Sequence, residues 1–340
     1  MDEIHDLRSF IGLLESMGEI KKIEGADWNL EIGGLTELLS EKQGPALLFD
    51  RIKGYPPGYR IFTNIFRTDR RLALALGLDT NLRRIELLNA WRVKLRAFEP
   101  VPVTVVEGGP VLENMMTENE IDLERFPAPI WHELDGGRYI GTGCCVVTKD
   151  PESGHINVGT YRCMIQGKNR ITVKMDKGKH GRMNQDKYHQ AGRPCPVVIS
   201  LGQDPWLFLA STSPLSLDIC EYEFAGWLRG APIQVVPGPL TGLPIPATAE
   251  IVLEGEIPPY GPAELPKEGP YLGIGGRSAF SDGRFGLSNA SWHGRSQAVL
   301  SSRWLTPKRK FLSFTGSRMG MLQIPQTEFD GRRADVSLVG

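Results

Sequence analysis

The chain has 340 residues, 41% of them hydrophobic and 23% charged, the composition of a globular protein long enough for two or three domains. Its 39 basic and 40 acidic residues leave a formal net charge of -1. The two signs are interspersed, so a nucleic-acid partner is not expected. No run of about 18 apolar residues occurs, so no spanning helix is expected. The acidic start Met1-Asp2-Glu3-Ile4-His5-Asp6 lacks the basic and apolar regions of a signal peptide. Five cysteines, at 144, 145, 163, 195 and 220, form no CxxC pair. That odd count in a large chain reads as reduced thiols of a cytoplasmic protein, with the vicinal Cys144 and Cys145 as small apolar strand residues.

Leu7, Phe10, Ile11 and Leu14 fall at i, i+3, i+4 and i+7, one face of a helix, with Gly18 at its C-terminal cap. Leu35, Leu38 and Leu39 predict a second, short helix. Pro45 to Phe49 reads as a buried strand ending in Asp50, and Tyr59 to Ile65 as another strand. Helices are predicted over Asp69 to Leu76 and Asn81 to Val93. Residues 1–102 therefore read as an α/β domain.

Pro100-Val101-Pro102-Val103 ends that texture. Short β-branched runs follow, at Val103–Val106, Gly143–Thr148, His155–Met164, Arg170–Met175, Pro196–Leu201, Pro232–Val236 and Glu250–Leu253, separated by Gly, Pro, Asn and Asp. One helical stretch, Ile219 to Leu228, interrupts them. This pattern predicts a β-barrel or sandwich-like domain over residues 103–271. From residue 271 to 340 the chain holds ten serines, eight arginines and two lysines against four acids, with no sustained period. Residues 272–340 are expected to be atypical, either disordered or not native to the preceding fold.

The densest polar segment is Asn157-Val158-Gly159-Thr160-Tyr161-Arg162, followed by Lys177-Gly178-Lys179-His180-Gly181-Arg182. A strand end followed by a Gly- and Lys-rich loop suits a phosphate, through backbone N–H groups and cationic side chains. A divalent ion could bridge such a phosphate to an Asn oxygen, a His nitrogen and a carboxylate. Glu221 and Glu223, on the predicted short helix, are the candidate carboxylates. A second cluster, Glu254, Glu256, Glu264 and Glu268, surrounds a proline-rich turn. Glu268-Gly269-Pro270 sets one carboxylate beside a rigid bend, as an acid/base group requires.

Several blocks resemble the UbiD family of decarboxylases. They are DLRSFIGLLESMGEI, PALLFDRIKGY, DGGRYIG, INVGTYRCMIQGKNR, EYEFAGWLRGAPIQVV, PATAEIVLEGEI and KEGPY, in family order over residues 6–271. The resemblance implies an α/β amino-terminal domain and a β-rich split-barrel domain that binds prenylated FMN. It implies a flavin phosphate held through a divalent ion, usually Mn2+, often with K+ nearby. By the same resemblance Asn157, Glu221 and His180 are the metal ligands. Thr160, Tyr161, Arg162, Lys174, Met175, Asp176, Lys179 and His180 are the cofactor contacts. Arg162 orients the carboxylate of a small-molecule acid and Glu268 pairs with Arg162. The implied reaction is non-oxidative decarboxylation of an aromatic or α,β-unsaturated acid. A flavin prenyltransferase is the implied supplier of cofactor and a homo-oligomer the implied assembly.

The chain departs from the pattern at Gly273. The family usually has a second carboxylate there, five residues after the first Glu, as proton donor. The family's carboxy-terminal α/β domain is not recognisable. Three readings follow: an altered reading frame or truncation near residue 271, a cofactor-binding but catalytically silent subunit, or a different proton donor.

Overall fold

The computed structural model describes residues 4–117 and 120–259, and the backbone of 295–306 and 311–313. The first domain runs α1 (Leu7–Ser16), β1 (Ile20–Glu24), α2 (Glu31–Glu41), β2 (Ala46–Asp50), β3 (Arg60–Thr63), α3 (Asp69–Ala75) and α4 (Arg84–Leu95). The predicted first helix is α1. Asp6 caps it by accepting from Ser9 N at 2.8 Å, and Gly18 sits just past its end at φ +70°, a conformation that glycine adopts without steric cost. The segment after it, for which no strand is predicted, is β1, parallel to β2.

Helix α2 forms where the leucine spacing predicts one, but its fully buried residues are Ile32, Gly33, Thr36 and Ser40, while Leu38 is 47% exposed. Small residues lie inside because α2 approaches the chain at Trp131 very closely. A Cβ on Gly33 would stand 2.1 Å from the Trp131 carbonyl oxygen. Gly33→Ala must therefore separate two backbones. We expect a loss of about 2–3 kcal/mol, read as a lower urea midpoint; a change under about 0.5 kcal/mol, the range of ordinary surface substitutions, would show that the contact yields freely.

The second region carries β4 (Thr104–Val105), β5 (Asn114–Met116), β6 (Tyr139–Gly141), β7 (Cys145–Lys149), β8 (Ile156–Gly159), β9 (Cys163–Gly167) and β10 (Arg170–Lys174). It continues with α5 (His180–Gln190), β11 (Cys195–Leu201), α6 (Pro205–Thr212), α7 (Glu221–Arg229), β12 (Gln234–Pro237), β13 (Pro244–Pro246) and β14 (Ile251–Ile257). The backbone strands β15 (Arg295–Thr306) and β16 (Phe311–Ser313) follow. Strands β6, β9, β10, β15, β14, β11, β7 and β8 are neighbours in that order in a nine-stranded sheet whose ninth member, β5, pairs with β15. Strand β16 joins β1, β2 and β3 in a second sheet, and β4, β12 and β13 form a third. Two strands of the 272–340 segment thus lie in the sheets; the rest of that segment lies outside the described residues.

Two apolar cores explain the unbroken hydrophobic runs. Along β7, Cys145 and Val147 face one core, and Val146, with Cys144 just ahead of the strand, faces the other. Along β2, Ala46 and Leu48 face the first core, Leu47 and Phe49 the second. Successive strand side chains point to opposite faces, so a strand covered on both sides is apolar throughout.

Two helices escaped the sequence reading. The eight residues of α6 include seven that are buried, so it has no polar face to mark a helical period. Helix α5 has the opposite composition, HGRMNQDKYHQ, with its buried face built from Gly181, Arg182, Asn184 and Gln185. The predicted strand His155–Met164 is also two strands, β8 and β9, with Thr160, Tyr161 and Arg162 in the break between them.

Candidate active site

That break is where the candidate residues meet. Thr160 N donates to the Ser211 carbonyl at 3.0 Å, and the two hydroxyls lie 2.7 Å apart. These bonds to α6 replace a sheet partner. The Tyr161 carbonyl accepts from two buried thiols, Cys144 Sγ at 3.0 Å and Cys163 Sγ at 3.3 Å. The Arg162 carbonyl accepts from Lys174 N at 3.0 Å, restoring the ladder to β10. The chain therefore leaves the sheet for three residues, with the Thr160 N–H and the Tyr161 and Arg162 carbonyls finding these other partners.

Tyr161 turns inward. Its hydroxyl accepts from Gly181 N at 3.2 Å, just inside the start of α5. Glycine is required on both sides of the ring, because a Cβ on Gly159 would lie 2.5 Å from the ring and one on Gly181 2.8 Å from it. Burial pushes the Tyr161 phenol up in pKa, while Gly181 N and the Asn157 side chain pull it back. The Glu221 carboxylate raises it further, so Asn157 and Glu221 each act on Tyr161.

Asn157, on β8, is 3% exposed, and Glu221, the first residue of α7, is 5% exposed. Glu221 Oε2 accepts from Val158 N at 2.8 Å. Burial pushes the Glu221 carboxyl up to about 7, against the pull of Val158 N–H and its own N–H. Among the described residues, no cationic side chain contributes to that balance. An amide and a poorly compensated buried carboxylate on adjoining elements suit a hard divalent cation, whose remaining ligands would be phosphate and water oxygens. Among the described residues, however, no three His, Cys, Asp or Glu side chains cluster as a self-sufficient metal centre.

The basic loop read from the sequence ends earlier than expected. His180 is the first residue of α5, with Lys179 as its cap. Burial lowers the His180 pKa, and His155 and Lys179 lower it further, so its imidazole is disposed to stay neutral, as a metal ligand must be. Lys174 Nζ pairs with Asp176 at 2.6 Å, Met175 is fully buried, and Asp176 and Lys179 are exposed. Arg162 is half-buried. Glu223 is half-buried and holds the linker through its carbonyl, which accepts from Val101 N at 3.3 Å. Glu254, one of the predicted acid cluster, is a structural group: fully buried, it accepts from Thr241 N at 3.1 Å and Thr241 Oγ1 at 2.7 Å. Glu264, Glu268 and Gly273 lie outside the described residues.

Sequence reasoning missed Thr148, Asn184 and Ser211, which touch the site from β7, α5 and α6. Single polar residues within a strand or a hydrophilic helix carry no motif that could have marked them.

An α/β unit thus precedes a β-rich region, and the candidate residues Asn157, Tyr161 and Glu221 gather around a break between two strands of the latter. The chain belongs to the 3-octaprenyl-4-hydroxybenzoate carboxy-lyase (UbiD) family: the family's Rift-related domain matches residues 99–280 and its N-terminal domain residues 11–91. A pyrrole-2-carboxylic acid decarboxylase of Pseudomonas aeruginosa is 34% identical over 260 residues, covering 74% of this chain and 52% of the relative. The chain therefore spans about half the length of that curated relative. The closed form of Sedimentibacter hydroxybenzoicus vanillic acid decarboxylase superposes with a TM-score of 0.80 at 28% identity, over 97% of this chain and 67% of the other. An evolved dimeric form of the UbiD-class enzyme HmfF from Pelotomaculum thermopropionicum, in complex with prFMN, gives 0.77 at 26% identity, over 92% and 67%. The resemblance read from the sequence is borne out, as is the α/β plus flavin-binding-domain architecture. No helix among the described residues is long and apolar enough to cross a membrane.

Proposed function

We propose that this chain catalyses the reversible, non-oxidative decarboxylation of an aromatic or α,β-unsaturated carboxylic acid with prenylated FMN. The observation that carries the reading is the convergence of Asn157, Tyr161 and Glu221 at the β8–β9 break. Asn157 and Glu221 would hold a divalent ion, manganese by the family resemblance, with His180 as a third ligand and K+ close by. Thr160, Tyr161, Lys174, Met175, Asp176 and Lys179 would line the flavin. When bound, prenylated FMN supplies an electron sink for the pair left on carbon as CO2 departs.

The chain's own residues do the rest. Arg162 pairs with the substrate carboxylate in bidentate fashion and orients it. Glu268 pairs with Arg162 and shuttles protons. The relatives' names support an aromatic or heteroaromatic acid, so pyrrole-2-carboxylate and vanillate are the first substrates to try. A flavin prenyltransferase would supply the cofactor, and assembly into a homo-oligomer is part of the reading.

The test is co-expression with a flavin prenyltransferase, followed by the absorption spectrum and mass of the bound flavin and by CO2 release from those acids. Arg162→Ala is expected to keep the flavin and lose turnover by at least about 100-fold, the scale on which lost positioning acts. Wild-type rates in that variant would refute the assigned role. A second reading, a flavin-binding but silent subunit, rests on Gly273 standing where the resemblance places a second acid; any turnover by this exact chain rejects it.

A further inference from the structure

Thr148 lies opposite Asn157 in the β7–β8 ladder and is fully buried. Its Oγ1 accepts from Asn157 Nδ2 at 3.4 Å and from Asn184 Nδ2 at 3.0 Å. A hydroxyl oxygen has two acceptor sites, and both are used. The first bond turns the nitrogen end of the Asn157 amide into the protein, so the oxygen end is what remains for a cation. The second bond fastens α5 to the same hydroxyl. That helix begins with His180 and supplies the Gly181 N–H that holds the Tyr161 hydroxyl. One oxygen therefore links the β8 side of the site to the α5 side.

We propose that Thr148 is a positioning residue that sets the Asn157 amide oxygen toward the cation site. The inference rests on the proposed cation-binding role of Asn157. An asparagine can coordinate a hard cation only through its oxygen, so an amide free to flip presents the wrong end part of the time. Groups that orient a metal ligand change affinity by about 10–100-fold when removed.

The experiment is a Mn2+ titration of the purified chain in the presence of FMN, read by the EPR signal of free Mn2+. Thr148→Val is expected to raise the Mn2+ Kd about tenfold or more, and Thr148→Ser to stay within about threefold of the wild type, because it keeps the acceptor oxygen. If the T148V chain does not fold, T148C, of similar size but a weaker acceptor, is read the same way with the same expected direction. In an Asn157→Asp background both ends of the side chain are oxygen, so adding Thr148→Val is expected to change Kd less than about twofold. A merely structural role for Thr148 would carry its effect unchanged into that background. Wild-type affinity in T148V, or an undiminished effect of T148V on N157D, overturns the proposal. Wild-type chain without Mn2+ binding overturns the cation-site reading itself, and this inference with it.

Discussion

Glu221→Gln is expected to abolish Mn2+-dependent FMN binding, with a rise in the Mn2+ Kd of at least about 100-fold, as removing a charged ligand does more than disturbing the groups behind it. The same change is expected to leave the metal-free protein as stable as the wild type or more so. Glu221 is 5% exposed, and only the Val158 N–H and its own N–H offset the burial of its carboxylate, with no cationic side chain among the described residues contributing. A buried charge without a partner is costly, and glutamine has the same shape, keeps an acceptor for Val158 N–H and carries no charge. Lost binding together with unchanged or higher Tm is the signature of a carboxylate kept for a ligand. A large drop in Tm for metal-free E221Q would show instead that Glu221 is a structural group.

Arg8→Ala should be the more damaging change to the fold. Arg8, on α1, grips Glu250, just ahead of β14, through Nε–Oε1 at 2.5 Å and Nη2–Oε2 at 2.6 Å. The Glu250 side chain is 3% exposed and that of Arg8 32% exposed. The pair fastens the first helix to the central sheet. Removing Arg8 strands a buried carboxylate; we expect a loss of about 2–3 kcal/mol at pH 8, below the usual cost of breaking a fully buried pair because Arg8 is partly solvated.

The loss should depend on pH. Burial already raises the Glu250 carboxyl above its ordinary value, and Arg8 pulls it back down. Without Arg8 it rises further. A group raised on folding contributes stability that is present below its unfolded pKa, about 4.3, and is lost as pH rises through the folded value. The penalty of Arg8→Ala is therefore expected to be full at pH 8 and to shrink as the pH falls through the raised Glu250 value and the carboxyl takes up its proton. Urea midpoints of both proteins at pH 8 and pH 5 give the answer; equal penalties at the two pH values would mean that Glu250 is not the group left unpaired.

Much of this protein is written locally. The i, i+3, i+4 spacing of Leu7, Phe10, Ile11 and Leu14 specifies α1, because one face of that helix is buried and the other wet. The runs at Ala46–Asp50 and Cys195–Leu201 read as strands because both of their faces meet a core. The family blocks place Asn157 and Glu221 by motif alone.

What the sequence could not supply is whatever depends on residues far apart in it. The break at Thr160–Arg162 exists because Ser211, 51 positions away, offers Thr160 a partner outside the sheet. Helix α5 carries no apolar stripe, since it is held by polar contacts such as Asn184 to Thr148, 36 positions away. Glu221 differs from Glu223, two residues on, only in where α7 puts it: one carboxylate is turned into the protein beside β8, while the other stays half-buried. Sequence determined the family and the elements with a clear apolar period; burial and long-range hydrogen bonding, which appear only when β7, β8, α5 and α7 pack together, decided which polar side chains meet at the candidate site.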